Sequence, residues 1–172
     1  MTNSKVKVAV GMSGGVDSSV AAYLLTESGY EVKGIFMKNW EEDDSDECSS
    51  KEDYEDARRV CKHLGIELNL VNFSDKYWTN VFETFIQELK KGFTPNPDIF
   101  CNKEIKFKQY YDYAMSLNFD LIATGHYARK ENVSDPELHI PKDIIKDQTY
   151  FLYMIKQNVL RNTLFPLEQL NK

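Results

Sequence analysis

The sequence predicts an α/β fold, a doubly wound parallel sheet with helices on both faces, and three observations predict it. Short apolar runs alternate with longer stretches of helical period along most of the chain. A glycine-rich break, Gly11–Gly15, joins the first apolar run directly to the first helical stretch, as a βα turn does. Strands separated by helices require right-handed crossovers, which makes the sheet parallel. At 172 residues the chain can bury one substantial core, so residues 1–172 are read as one domain.

The elements follow in order. Lys5–Val10 is an apolar run and the first strand. Val16–Ser28 is a helix, with Val16, Val20 and Leu24 on one face. Glu31–Lys38 is the second strand. The acidic segment 41–50 is a solvated loop, and Lys51–Leu64 a helix closed by Gly65. Glu67–Phe73 is the third strand, and Lys76–Lys91 an amphipathic helix announced by Ser74 and Asp75. The loop GFTPNPDIFC precedes a helix over Asn102–Leu117. Asp120–Thr124 is the fourth strand, residues 129–146 are irregular, and Gln148–Arg161 is helical. A parallel sheet binds ligands beyond the carboxyl ends of its strands, where the strand order reverses. With the second and fourth strands flanking the first, Gly11–Gly15 stands beside Thr124-Gly125-His126.

Composition narrows the classes. Hydrophobic residues make up 42% of the chain, a globular value. No apolar run approaches the roughly 18 residues that would span a bilayer, and the N-terminus enters a strand pattern at once, so a cytoplasmic address is expected. The net charge of −6 argues at first against nucleic acid. Ten of the 27 acids, however, fall in residues 41–56 with a single base, Lys51, leaving 20 bases against 17 acids elsewhere. RNA binding is decided by local patches, so the global sign does not exclude it. The acidic run would repel RNA and is expected to face away from it.

The Gly11–Ser19 stretch can be read in two ways. Gly11-Met12-Ser13-Gly14-Gly15 fits the G-x-S-x-G turn that exposes a nucleophilic serine, and Asp98 and His126 follow in the order a hydrolase needs. It also fits a loop whose backbone N–H groups cradle phosphate ahead of a helix N-terminus. Gly14 and Gly15 allow close approach of a ligand, Ser13, Ser18 and Ser19 add hydroxyls, and Asp17 stands in the first helical turn. The elbow reading gives Val16-Asp17-Ser18-Ser19 no task and ranks second.

Three cysteines are unevenly spaced and form no C-x-x-C pair. Cys61, in ARRVCKHLG, reads as a packing residue, and Cys48 sits among acids that would blunt it. Cys101 differs. It lies three residues after Asp98, behind the stiffening prolines Pro95 and Pro97, at the expected start of a helix and near Lys103 and Lys106. A helix N-terminus with nearby cations favours the thiolate.

Taken together, GMSGGVDSS, GIFMKNWEEDD, TPNPDIFCNKEIKF, ATGHYAR and KDQTYFLY resemble the N-terminal domain of the tRNA-specific 2-thiouridylases, whose first motif is the pyrophosphatase loop of ATP-dependent adenylating enzymes. The motifs come in the family's order and span nearly the whole chain. The resemblance implies an adenine nucleotide α-hydrolase-like fold that binds ATP, with Mg²⁺ on the phosphates, through Gly11, Met12, Ser13, Gly14, Gly15, Val16, Asp17, Ser18, Met37 and Gly125. It implies that Cys101 is a nucleophile and Asp98 a general acid or base. Asn96, Pro97 and Asp98 would touch the target base, and His126, Lys146, Asp147 and Gln148 the tRNA. The implied activity is ATP-dependent 2-thiolation of the wobble uridine, with tRNA as substrate and a persulfide-carrying protein as sulfur donor. It also implies a disulfide between Cys101 and a second cysteine beyond Lys172, so the chain is expected to be the N-terminal part of a longer protein. Two positions depart from the family: Glu168 replaces its glycine after LFPL, and Ile140-Pro141 its Arg-Gly. Another adenylating activity on the same loop is the alternative within this class, but it gives the Asp98/Cys101 segment no use.

Overall fold

A computed structural model describes residues 5–39, 49–131 and 135–172. Five parallel strands form the sheet in the order β3-β2-β1-β4-β7. β1 is Lys7–Met12, β2 Glu31–Lys38, β3 Leu68–Asn72, β4 Leu121–Ala123 and β7 Thr163–Leu164. The first strand is flanked by the second and the fourth, as the alternation predicts. The chain therefore winds one way through β2 and β3, then returns to the other side of β1 for β4 and β7. The reversal falls between β1 and β4.

Period-two alternation along the strands explains why both faces are covered. On β1, Val8, Val10 and Met12 point to one side with Phe36 of β2, and meet Ala22, Leu25, Ala57 and Cys61 there. These come from α1 (Val16–Glu27) and α2 (Ser49–Leu64). Ala9, Ile35 and Ile122 point to the other side and meet Val81, Ile105, Phe107, Tyr110 and Ala114. That layer holds α3 (Ser74–Tyr77) running through a π-helical turn into α4 (Glu83–Lys90). It also holds α5 (Pro97–Cys101), a π-helical stretch Asn102–Gln109 and α6 (Tyr110–Ser116). The sheet is thus wound on both faces.

Tyr110 ties the reversal point together. It is fully buried, and its hydroxyl lies 2.7 Å from the Ala9 carbonyl of β1 and 3.3 Å from the Ala123 carbonyl of β4. Donating that proton to the sheet satisfies an otherwise unpaired buried group. Tyr110→Phe is expected to lower unfolding stability by about 1–2 kcal/mol in chemical denaturation. An unchanged midpoint would show that the bond adds nothing.

Several boundaries move. β1 runs to Met12, because Gly11 and Met12 continue the ladder opposite Ile35 and Phe36. The buried face of α1 is Ser18, Ala21, Ala22 and Leu25, while Val16 is 69% exposed at the helix start, so the Val16–Val20–Leu24 face is not the main one. Residues 129–146 are not wholly irregular: β5 (Arg129–Glu131) pairs antiparallel with β6 (Glu137–His139). Gln148–Arg161 is not one helix but a 3₁₀ turn, Thr149–Phe151, and a short α7, Gln157–Arg161. Lys156 is extended (ψ 143°) and interrupts it, while Leu152 is fully buried between the two pieces. The two-residue β7 is too short for any periodicity. Lys130 secures it by donating to the carbonyls of Leu160, Arg161 and Thr163.

Candidate active site

The loop after β1 is shaped by its own glycines and serines. Gly14 has φ +80°, and a Cβ there would lie 2.8 Å from the Asp53 Cα of α2. Gly15 precedes α1 in extended conformation. Ser18, buried, brings its hydroxyl 3.1 Å from that of Ser13 and from the Gly15 carbonyl, and accepts from the Ser13 N–H at 3.2 Å. Ser19 donates to the same carbonyl at 2.8 Å. Ser18 and Ser19 therefore close the loop, while Ser13, Gly15 and Val16 stay on its exposed side. Asp17 makes an ion pair with Lys172.

β4 brings its carboxyl end against this loop. A Cβ on Gly125 would stand 2.7 Å from the Ser18 nitrogen and 2.8 Å from the Asp17 carbonyl carbon. Only a glycine lets the strand end pack on the first turn of α1. The sequence expectation that both glycine-bearing strand ends lie side by side is met. Gly11 and Met12 differ from their neighbours: both are buried in β1, and the Met12 side chain belongs to the core. The Met37 methyl would come within 3.3 Å of a Cβ on Gly11, so that glycine makes room for Met37.

His126 is buried. Its Nδ1 lies 2.8 Å from the Thr124 hydroxyl and its Nε2 3.5 Å from Lys106 Nζ. Burial first, and the ammonium of Lys106 second, hold the imidazole well below its ordinary range, so it is neutral. Both ring nitrogens are thus engaged away from Ser13, whose hydroxyl meets Ser18 and Gly15. No serine–histidine pair forms among the described residues, and the hydrolase elbow loses its base.

The Thr94–Cys101 segment is not a loop leading to a helix at Asn102. The helix starts five residues earlier: Asn96 caps it by accepting the Asp98 N–H at 2.9 Å, and Pro97 occupies the first position. Cys101 therefore sits one turn inside a continuous helical run, half-buried at the edge of the core along with Phe100 and Tyr77. The expected thiolate is not what the resting site favours. Burial pushes the thiol up, the nearby Asp98 carboxylate adds to that, and Lys106 alone opposes it. Asp98 itself is exposed. Cys61 is buried with its thiol pushed up to about 11, the inert packing residue expected.

The 146–151 segment docks on the same place. Gln148 accepts from the Tyr127 N–H at 2.9 Å and donates its own N–H to the Tyr127 carbonyl at 3.0 Å. Asp147 accepts from Thr149 N–H and Asp143 from Lys146 N–H. Asn102, next to Cys101, reaches the Phe151 carbonyl at 3.4 Å. The segment thus bridges the end of β4 and the cysteine helix. The sequence names Lys106 and Thr124 only as neighbours of Cys101 and Gly125; their contacts with His126, and that of Asn102 with Phe151, appear only in the fold. The acidic run 41–47 and Cys48 lie outside the described residues, and no helix among the described residues is long and apolar enough to cross a membrane.

The chain is 56% identical over 171 residues to the tRNA-specific 2-thiouridylase MnmA of Pseudomonas putida strain GB-1, covering 98% of this chain and 46% of that protein. It is 57% identical over 173 residues to that of Tolumonas auensis, covering 99% and 47%. The chain thus spans about half the length of the curated relatives it matches. Among solved structures, the U34-tRNA thiolase NcsA from Methanococcus maripaludis, with its [4Fe-4S] cluster, aligns with a TM-score of 0.59 at 24% identity, over 97% of this chain and 53% of that one. That likeness shows the shared fold. A family model described as tRNA methyl transferase HUP domain matches residues 6–172, and the chain belongs to that family.

Proposed function

We propose that this chain supplies the ATP site and the first catalytic cysteine for 2-thiolation of the wobble uridine of tRNA. One observation carries the reading. Gly125 at the end of β4 packs on Asp17-Ser18 of the glycine loop, and the next residue, His126, meets Lys106 of the helical run that carries Cys101. The names of the relatives point to the same substrate.

In this scheme the N–H groups around Gly14 and Gly15 hold phosphates at the N-terminus of α1. The uridine O2 attacks the α-phosphorus of ATP, pyrophosphate leaves, and the base carries AMP on that oxygen. A urea-like oxygen is a poor leaving group, and adenylation makes it a good one. The terminal sulfur of a cysteine persulfide, charged by a sulfur-donor protein, then attacks C2. The Cys101 thiolate attacks the inner sulfur, which breaks its bond to the base-borne sulfur and forms a disulfide. AMP departs as the thiocarbonyl forms, and an external thiol reduces the disulfide. Asp98 serves as acid or base beside Cys101, Asn96–Asp98 meet the base, and His126 with Lys146–Gln148 meet the tRNA. No three described His, Cys, Asp or Glu side chains cluster as a metal site. Mg²⁺ would therefore be held mainly through the phosphates, screening their charge.

The test supplies ATP, unmodified tRNA and a persulfide donor to the protein. AMP and pyrophosphate should form only with tRNA bearing the wobble uridine, and Cys101→Ala should abolish thiolation while leaving pyrophosphate release. ADP as product, or labelling of Ser13 by a fluorophosphonate, would overturn the reading.

A further inference from the structure

The helix that carries Cys101 is not a plain α-helix. From Asn102 to Gln109 it is π-helical, the Tyr110 N–H bonding back five residues to the Ile105 carbonyl, with Phe107 off helical geometry at φ −110° and ψ 18°. In an α-helix a residue five positions on is turned by about 140° from the first. A turn closed by i→i+5 bonds brings the two towards one face, and such bulges recur at functional sites. Here the residues five apart are Cys101 and Lys106. The π turn thus presents Lys106 to the side of the helix that holds Cys101, where its Nζ also meets His126 Nε2.

The neighbouring lysines are spoken for. Lys103 and Lys108 both pair with Glu104, at 3.4 and 2.6 Å. No ion pair to Lys106 is formed among the described residues; its Nζ meets His126 instead. Around Cys101 stand Asp98 from its own turn, Tyr77 from α3 and Lys106. Around His126 stand the Thr124 hydroxyl, the Phe107 ring with centroids 5.8 Å apart, and the same Lys106. Among the described residues, Lys106 is the cation common to both groups.

We propose that Lys106 is the positioning residue of this site: its ammonium, delivered by the π turn, favours the Cys101 thiolate and reinforces the burial that keeps His126 neutral, coupling the cysteine to the end of β4. The step is an acid dissociation, in which the S–H bond breaks, the electron pair stays on sulfur and the proton passes to solvent. Its use in sulfur transfer rests on the thiolation reading, but the charge coupling is a property of the chain without ATP or tRNA.

Alkylation of Cys101 by iodoacetamide, followed across pH by mass spectrometry of its peptide, reads the coupling directly. Lys106→Met should move the midpoint up by about one pH unit, roughly a tenfold loss of thiolate near neutrality. Lys106→Arg should restore most of it, and Lys103→Met should leave it in place. The His126 ring, followed by NMR, should titrate at higher pH in Lys106→Met. If that variant does not fold, Lys106→Gln, which keeps much of the stem, takes its place. An unmoved midpoint, or a shift that arginine fails to reverse, would overturn the proposal. Because these readouts need no tRNA, a failure of thiolation itself would leave them standing.

Discussion

Gly14→Ala should abolish ATP binding and destabilise the protein together. Gly14 sits at φ +80°, where a residue with a Cβ is strained by about 1–2 kcal/mol. The methyl would also drive into the backbone of Asp53 in α2, 2.8 Å from its Cα, and backbone cannot rotate aside as a side chain can. Overpacking of this kind costs about 1–3 kcal/mol more. The combined loss, on the order of 2–5 kcal/mol, is a large fraction of a domain's stability. Relief can come only by moving the loop, which would pull Ser13 away from Ser18 and misdirect the N–H groups proposed to meet phosphate. Calorimetric titration with ATP and a thermal melt are the measurements. A variant that binds ATP normally would show that the Gly14 turn does not shape the nucleotide site.

Acid should destabilise the protein through His126. Burial beside Lys106 holds the folded imidazole well below its ordinary 6.5, while the unfolded chain takes up a proton near that value. Below pH 6.5 the unfolded state therefore binds more protons, so stability is full above that pH and falls as pH drops towards the folded value. The slope approaches about 1.4 kcal/mol per pH unit between the unfolded value and the lower folded one. Urea denaturation at several pH values should show this slope in the wild type and a shallower one in His126→Gln, whose amide can still meet Thr124. Equal slopes in the two proteins would assign the acid sensitivity elsewhere.

Much of the architecture is legible along the chain because its determinants are local. Apolar runs a few residues long, punctuated by Gly29 and Gly65 at helix ends, mark strands and crossover helices, and parallel order follows from their alternation. The errors have particular causes. Asn96 and Pro97 form a strong helix start, yet the surrounding prolines and glycine resemble a loop. Gln148–Arg161 has helical composition, but Leu152 must enter the core and Lys156 must be extended for the chain to reach β7.

The sequence by itself determined the sheet order around β1, the glycine loop ahead of α1 and the identity of Cys101 as the cysteine worth attention. These rest on motif and periodicity, which a linear reading can carry. Only the tertiary structure decided what surrounds those groups. Gly125 is needed because β4 presses on Ser18 from more than a hundred residues away. His126 is neutral because the fold buries it, and Cys101 is protonation-biased by its surroundings rather than activated by a helix end. Lys106 meets His126 from a π-helical stretch that a helical wheel cannot anticipate. Desolvation and the direction of a side chain are set by the packed neighbours, and those belong to no single stretch of sequence.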